Sequence, residues 1–231
     1  MGNEQTEMMG FINQMDSEYH SHLHTLNLFN PDLTKQWDVT AKKQFAGQLY
    51  HIRGYFIHFM WYLANFNSNK AFKQIILDNI GEEIGINEKL SHEQLYAQFA
   101  EYCGVDIQDE ILNHTNYSDF AKSYNHHHIE WLSAHSEIAQ IAAFAAYERL
   151  DNIDYVYLYR LGQSLNLPAE ALLFFKVHTH VEHFGPVLPI LETKWSEHAE
   201  EIKMGFEFIY AHQYGMWAKF SQILSTEVKA A

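Results

Sequence analysis

The apolar positions of this chain recur in steps of three and four, and no segment alternates apolar and polar residues for long. That period belongs to helices rather than strands. Residues 39–66 carry the clearest phase: Phe45, Leu49, Ile52, Phe56, Phe59 and Leu63 step by four and three, which predicts a core helix with one buried seam. A first helix is expected over 4–27, stopped by Asn30-Pro31-Asp32, and a third from a cap at Asn67 or Ser68 to Ile84. Ser91-His92-Glu93-Gln94 reads as a capping box that opens the next helix. Residues 106–125 are mixed and predict a short helix with loops, and His126-His127-His128 a solvated helix start. Residues 138–147 are almost wholly apolar, with four alanines, and predict a central helix that neighbours approach closely. Further helices are expected over 154–165, over 172–183, and, after Gly185-Pro186 and Pro189, to about residue 225. Only four prolines interrupt 231 residues.

Two carboxylates disturb these apolar faces. In the 67–84 helix, Glu83 lies about 40° and Glu82 about 140° from the mean apolar direction at 100° per residue, so Glu83 points inward. Glu148 continues the 138, 141, 145 phase into the core. An inward carboxylate needs a cation or hydrogen-bond donors, since leaving it unpaired costs several kcal/mol. For Glu148 the bland partner is the adjacent Arg149. His92, one residue past its cap, is placed to aim across at the preceding helix, although a surface first-turn histidine is the commoner case. His51 and His58 flank the apolar seam and read as packing residues.

The stretch Leu172–His183, LLFFKVHTHVEH, places two candidate pairs on one helix. His178 and Glu182 are four apart, and His180 and His183 are three apart, so each pair can converge on a cation. The apolar phase does not choose between them, because the stretch is hydrophobic nearly all round.

Composition narrows the classes. Hydrophobic residues form 47% and aromatics 15% of the chain, a globular make-up for one domain, here 1–231 with an N-terminal helix and loop (1–38) and a core bundle (39–225). A net charge of −14 disfavours nucleic acid and anionic membrane surfaces as partners. No run reaches the length of a membrane span, and MGNEQTEMMGF lacks the basic and apolar regions of a secretory leader. With Cys103 as the single cysteine, no internal disulfide forms and a cytoplasmic setting is expected. Cys103 itself reads as a small core filler. Sixteen histidines make metal chemistry worth pursuing.

Glu83, His92, Glu148, His178 and Glu182 are oxygen and nitrogen donors from several helices, a set that suits iron or manganese better than structural zinc. Here the sequence resembles the haem-oxygenase-like diiron oxidases, a superfamily that includes the TenA thiaminases and the PqqC-type oxidases. The strings that carry the likeness are Asn79-Ile-Gly-Glu-Glu-Ile-Gly85 with Ser91-His92 to Phe99 and Gly104, Tyr147-Glu148, and Leu173-Phe-Phe-Lys-Val-His178. The resemblance implies an all-α, haem-oxygenase-like bundle of about seven helices. It also implies two iron ions, or manganese and iron, without haem, and O₂ used to oxidise a small substrate of the fatty-acid, amino-acid or amino-arene class. Glu83, His92, Glu148 and His178 would be ligands, Glu182 the following acid, and Tyr147 a residue that passes electrons or positions O₂. A homodimer is a fold-level expectation.

One position departs. Where the family carries a last histidine this chain has Gly185. Aligning Val181-Glu182-His183 on the end of the motif instead makes His180 and His183 the pair. Pro186, which cannot bond the Glu182 carbonyl, predicts a kink over 182–185 that would swing His183 in as sixth ligand. Two other readings compete: a binding protein with a degenerate metal site, and a TenA-like metal-independent hydrolase whose nucleophile would have to be Cys103. Haem would need a histidine on the first helix, such as His20 or His24.

Overall fold

A computed structural model describes residues 2–86, 90–180 and 183–227. Every regular element among them is helical. In chain order these are α1 (Gly2–Leu23), α2 (Pro31–Thr34), α3 (Val39–Arg53), α4 (Phe56–Phe66), α5 (Lys70–Glu83), α6 (His92–Tyr102), α7 (Ile107–Asn113), α8 (Asp119–Ala134), α9 (Glu137–Ser164), α10 (Leu173–His178), α11 (Phe184–Glu192) and α12 (Trp195–Glu227). Short 3-10 turns sit at Asn27–Phe29 and Ala169–Leu172. The chain is thus cut more finely than a seven-helix bundle.

The long α9 is the axis. α12 runs along it, α1 covers α12, and α10 and α11 close the other flank. Ala142, Ala143, Ala145 and Ala146 on α9 are fully buried, and their small size lets α12 come close. Where the two helices cross, a Cβ on Gly205 would lie 2.7 Å from both the Ala139 carbonyl oxygen and the Ala142 methyl. Only glycine fits that crossing.

Most start signals act as the sequence predicts. Ser91 caps α6 with a full capping box, its hydroxyl accepting from the Gln94 N–H while the Gln94 side chain accepts from the Ser91 N–H. The cap of α5 is Asn69, one or two residues later than expected, accepting from the Phe72 N–H.

The continuous seam over 39–66 is broken in two, because Gly54 and Tyr55 turn the chain between α3 and α4. The expected helices over 138–147 and 154–165 are one helix of 28 residues. His128 lies in mid-α8 and is buried at 3% exposure, so the histidine triplet is not a solvated helix start. The helix expected over 172–183 ends at His178, and α11 begins at Phe184 with Pro186 in its first turn. Proline there needs no kink, since its missing N–H is one that a first turn leaves unbonded anyway.

A candidate metal centre at the meeting of α5, α6, α9 and α10

The end of α5 delivers the first carboxylate. After Glu83, the chain turns through Gly85 at φ +72°, and the Ile86 N–H closes back on the Gly81 carbonyl at 3.1 Å. This glycine stop fixes Glu83 on the last turn of α5. A carboxylate there faces the negative end of the helix dipole, so it needs positive charge or donors in front of it. His92, the first residue of α6, supplies a partner: its Nδ1 lies 2.8 Å from Glu83 Oε1. The approach is not aligned as a hydrogen bond, and His92 Nδ1 is a buried atom without a hydrogen-bond partner among the described residues.

His178 comes from the last turn of α10. Its Nδ1–H donates to the Phe174 carbonyl at 2.7 Å, which fixes the tautomer and leaves Nε2 as a lone-pair donor. The ring stacks on Tyr155 with centroids 4.0 Å apart and stands 4.3 Å from the His92 ring. Burial, then His92, lowers its pKa to about 3, so the imidazole is neutral and ready to ligate. Burial works to raise the Glu83 carboxyl, but His92, His178 and His183 outweigh it and hold the group below its ordinary value. One ligand atom from each of Glu83, His92 and His178 lies within 4.8 Å of the others, and no second such group occurs among the described residues.

These three fit a divalent cation. Two imidazoles and a carboxylate form an oxygen and nitrogen set without thiolate, His178 presents a locked lone pair, and His92 Nδ1 is a buried nitrogen without an aligned hydrogen bond that a cation would satisfy.

The remaining sequence candidates lie around this trio. Glu148, on α9, is buried, and its Oε1 accepts from Asn79 Nδ2 at 2.9 Å. Burial, then the Asp151 and Glu83 charges, push its carboxyl well above the ordinary carboxylate range. Arg149 is not its partner, because that guanidinium pairs with Asp16 at 2.7 Å. A void of about 20 Å³, room for roughly one water, separates Glu83, Glu148, Asp151, His178 and His183. His183 lines that void while its Nε2 stands 3.7 Å from Glu82 Oε2. Glu82 is the outward member of the acidic pair, 54% exposed at its side chain. His180 is exposed, its Nδ1 beside the Thr179 hydroxyl at 2.8 Å. Glu182 lies outside the described residues.

Tyr147 packs behind Phe56, a residue that lines both cavities at the centre. Its ring stacks on Phe56 at 4.4 Å, and its buried hydroxyl has no hydrogen-bond partner among the described residues. His20 and His24 both pack against Tyr157, and His51 is paired with Glu110 at 2.8 Å, a structural role.

Sequence reasoning missed Asp151, Arg53 and Asn79. Asp151 borders the void and pairs tightly with Arg53, whose guanidinium lies about 5 Å from the ring centres of both Tyr147 and Tyr155. Behind it, Asp154 is fully buried and accepts from Tyr19 Oη at 2.8 Å, Trp217 Nε1 at 2.9 Å and Gln213 Nε2 at 3.0 Å. Burial raises Asp151 to about 7 despite Arg53. The signal was present: Glu148, Asp151 and Asp154 step by three along a buried helix.

Residues 43–203 match the protein family described as iron-containing redox enzyme. A CADD-like protein of unknown function from Nostoc punctiforme has a similar crystal structure, with a TM-score of 0.73 at 18% identity over 94% of this chain and 99% of that one. A domain of unknown function with a heme oxygenase-like fold from Shewanella denitrificans gives 0.71 at 12% identity, over 96% and 93% of the two chains. At such identities the likeness is one of fold, and it makes this chain a haem-oxygenase-like helical protein. No curated protein matches the sequence.

Proposed function

This chain belongs to the family of iron-containing redox enzymes, and from that premise we propose that it is a non-haem dinuclear iron, or manganese and iron, enzyme that uses O₂ to oxidise a small organic substrate. The observation that carries the reading is that Glu83, His92 and His178 bring ligand atoms within 4.8 Å of one another in the lining of a cavity of about 260 Å³. Those three would hold the first ion. Glu83 and Glu148 would face the second across the small void, with His183 as a further candidate on the same void and Glu182 a candidate from the sequence alone. When bound, the metal supplies the binding and reduction of O₂, chemistry that no side chain provides.

The protein's own part is placement. Hydrogen bonding of Nδ1 to Phe174 holds the His178 ring in register, and stacking on Tyr155 stops it turning. Asn79 orients Glu148, and Arg53 fixes Asp151 beside the void. Phe56, Tyr96, Tyr155 and Phe174 line the cavity with aromatic rings, which favour an apolar body.

The hydrolase reading loses its nucleophile. Cys103 is 2% exposed, and burial pushes its thiol up to about 12, so the thiolate is not available near neutral pH. The degenerate-site reading rests on Gly185, which falls in the first turn of α11 and supplies no ligand.

Anaerobic loading with Fe(II), removal of loose metal and measurement of iron per chain, followed by O₂ uptake, tests the proposal. About two ions and O₂ consumption are expected. One ion with O₂ uptake would replace the dinuclear centre by a mononuclear one. Less than about half an equivalent without O₂ uptake would remove the enzyme reading.

A further inference from the structure

The cavity at the candidate metal centre carries features that select a substrate. Glu83, His92 and His178 share its lining with the rings of Phe56, Tyr96, Tyr155 and Phe174. Tyr96 spends its hydroxyl on the Ala46 carbonyl at 2.6 Å and so offers the cavity only its ring. Arg53 reaches the lining, but it is answered by Asp151 at close range and by Asp154 at 4.0 Å, and is 3% exposed at its side chain. Its charge is therefore already offset by two carboxylates, with Nη1 alone left without a hydrogen-bond partner among the described residues.

One carboxylate among the described lining residues is neither part of the metal group nor paired with a cation: Glu93, in the first turn of α6 and exposed at the mouth. Its Oε1 accepts from the Tyr50 hydroxyl at 2.9 Å, which holds the carboxylate in place on the rim. An ionised carboxylate held in place on a cavity rim is a site for an organic ammonium, bound by a charge-assisted hydrogen bond. The protein's net charge of −14 draws cations toward it.

We propose that the substrate is a small amine carrying an apolar or aryl body, with its ammonium held at the mouth by Glu93 and its carbon end against the metal centre. The cavity holds about a dozen non-hydrogen atoms, one ring and a short chain. The nitrogen end stays outward, so the atom presented to the centre is carbon. This deepens the proposed oxidation by naming its substrate class, and it rests on that reading.

The probes are 2-phenylethylamine, 2-phenylethanol and phenylacetate, of one shape and three charges, titrated calorimetrically into anaerobic protein whose iron content is measured in the same sample. The amine is expected to bind about tenfold tighter than the alcohol, and phenylacetate weaker than either. Glu93→Gln should cut amine affinity about tenfold while leaving alcohol affinity and iron per chain unchanged. With Mn(II) in the centre, the aryl proton resonances of the bound amine should broaden more than those of the methylene next to nitrogen. The proposal is overturned if the amine does not bind, if phenylacetate binds tightest, if Glu93→Gln has no effect, or if the nitrogen-side methylene broadens more. Low iron content with intact, Glu93-dependent amine binding would instead count against the metal reading and leave the amine site standing.

Discussion

The imidazoles around His178 and those around His128 are both gathered by the fold, but only the first group forms a candidate cation site with a carboxylate. At the candidate centre, the His92 and His178 rings are 4.3 Å apart with the Glu83 carboxylate 2.8 Å from His92. Under α12, His128 lies 5.7 Å and His127 5.1 Å from the His212 ring, but the groups packed on them are aromatic: Phe59 on His128, Tyr124 on His212, and Phe208 on all three. Burial, then the His212 and His127 charges, lowers the pKa of His128 well below its ordinary value, with no carboxylate opposing them. Burial, then His127, lowers His212 to about 4. At His92 and His178 a carboxylate stands ready to offset the charge a cation would bring, and at His128 and His212 aromatic rings take that place.

The largest effect should separate the regions outright. His178→Ala or Glu83→Gln is expected to weaken iron binding by more than about 100-fold, whereas His212→Gln leaves iron per chain unchanged, as read by metal analysis after anaerobic loading. Equal losses from both regions would erase the distinction.

Acid should act on the other region. In the unfolded chain histidine titrates near 6.5, but His212 stays neutral in the fold down to about 4. Between those values the unfolded state binds the extra proton, so stability is full above about pH 6.5 and falls as pH drops toward 4. His212 alone accounts for no more than about 3 kcal/mol of that loss. Urea midpoints measured across this window should fall steeply for the native chain and less steeply for His212→Gln.

The smallest effect probes what orders the metal region in the absence of ions. Asn79→Ala leaves the buried Glu148 carboxyl without the side-chain donor at 2.9 Å, and should cost about 1–2 kcal/mol of stability in metal-free protein. Calorimetry should show iron restoring part of the lost melting temperature, if Glu148 faces the metal as proposed.

Much of this was legible in the chain before folding. The three-and-four period gave the helical class, the Ser91 capping box placed His92 at a helix start, and the inward phase of Glu83 and Glu148 marked both carboxylates, because these depend on spacing along one helix. The resemblance at Leu173–His178 singled out His178 over His180. Tertiary structure decided what spacing cannot encode. A seam such as 39–66 keeps its phase across a turn, so the break at Gly54 and Tyr55 left no mark in the pattern. The halt at His178 and the fresh start at Phe184 turned Pro186 from a kink into a first-turn residue. Partners more than a hundred residues apart, such as Arg149 with Asp16, or brought from α3 to α9, such as Arg53 with Asp151, are chosen by packing. So is the line between His178 and His128: both sit in apolar surroundings in the sequence, and only the fold sets a carboxylate before one and aromatic rings before the other.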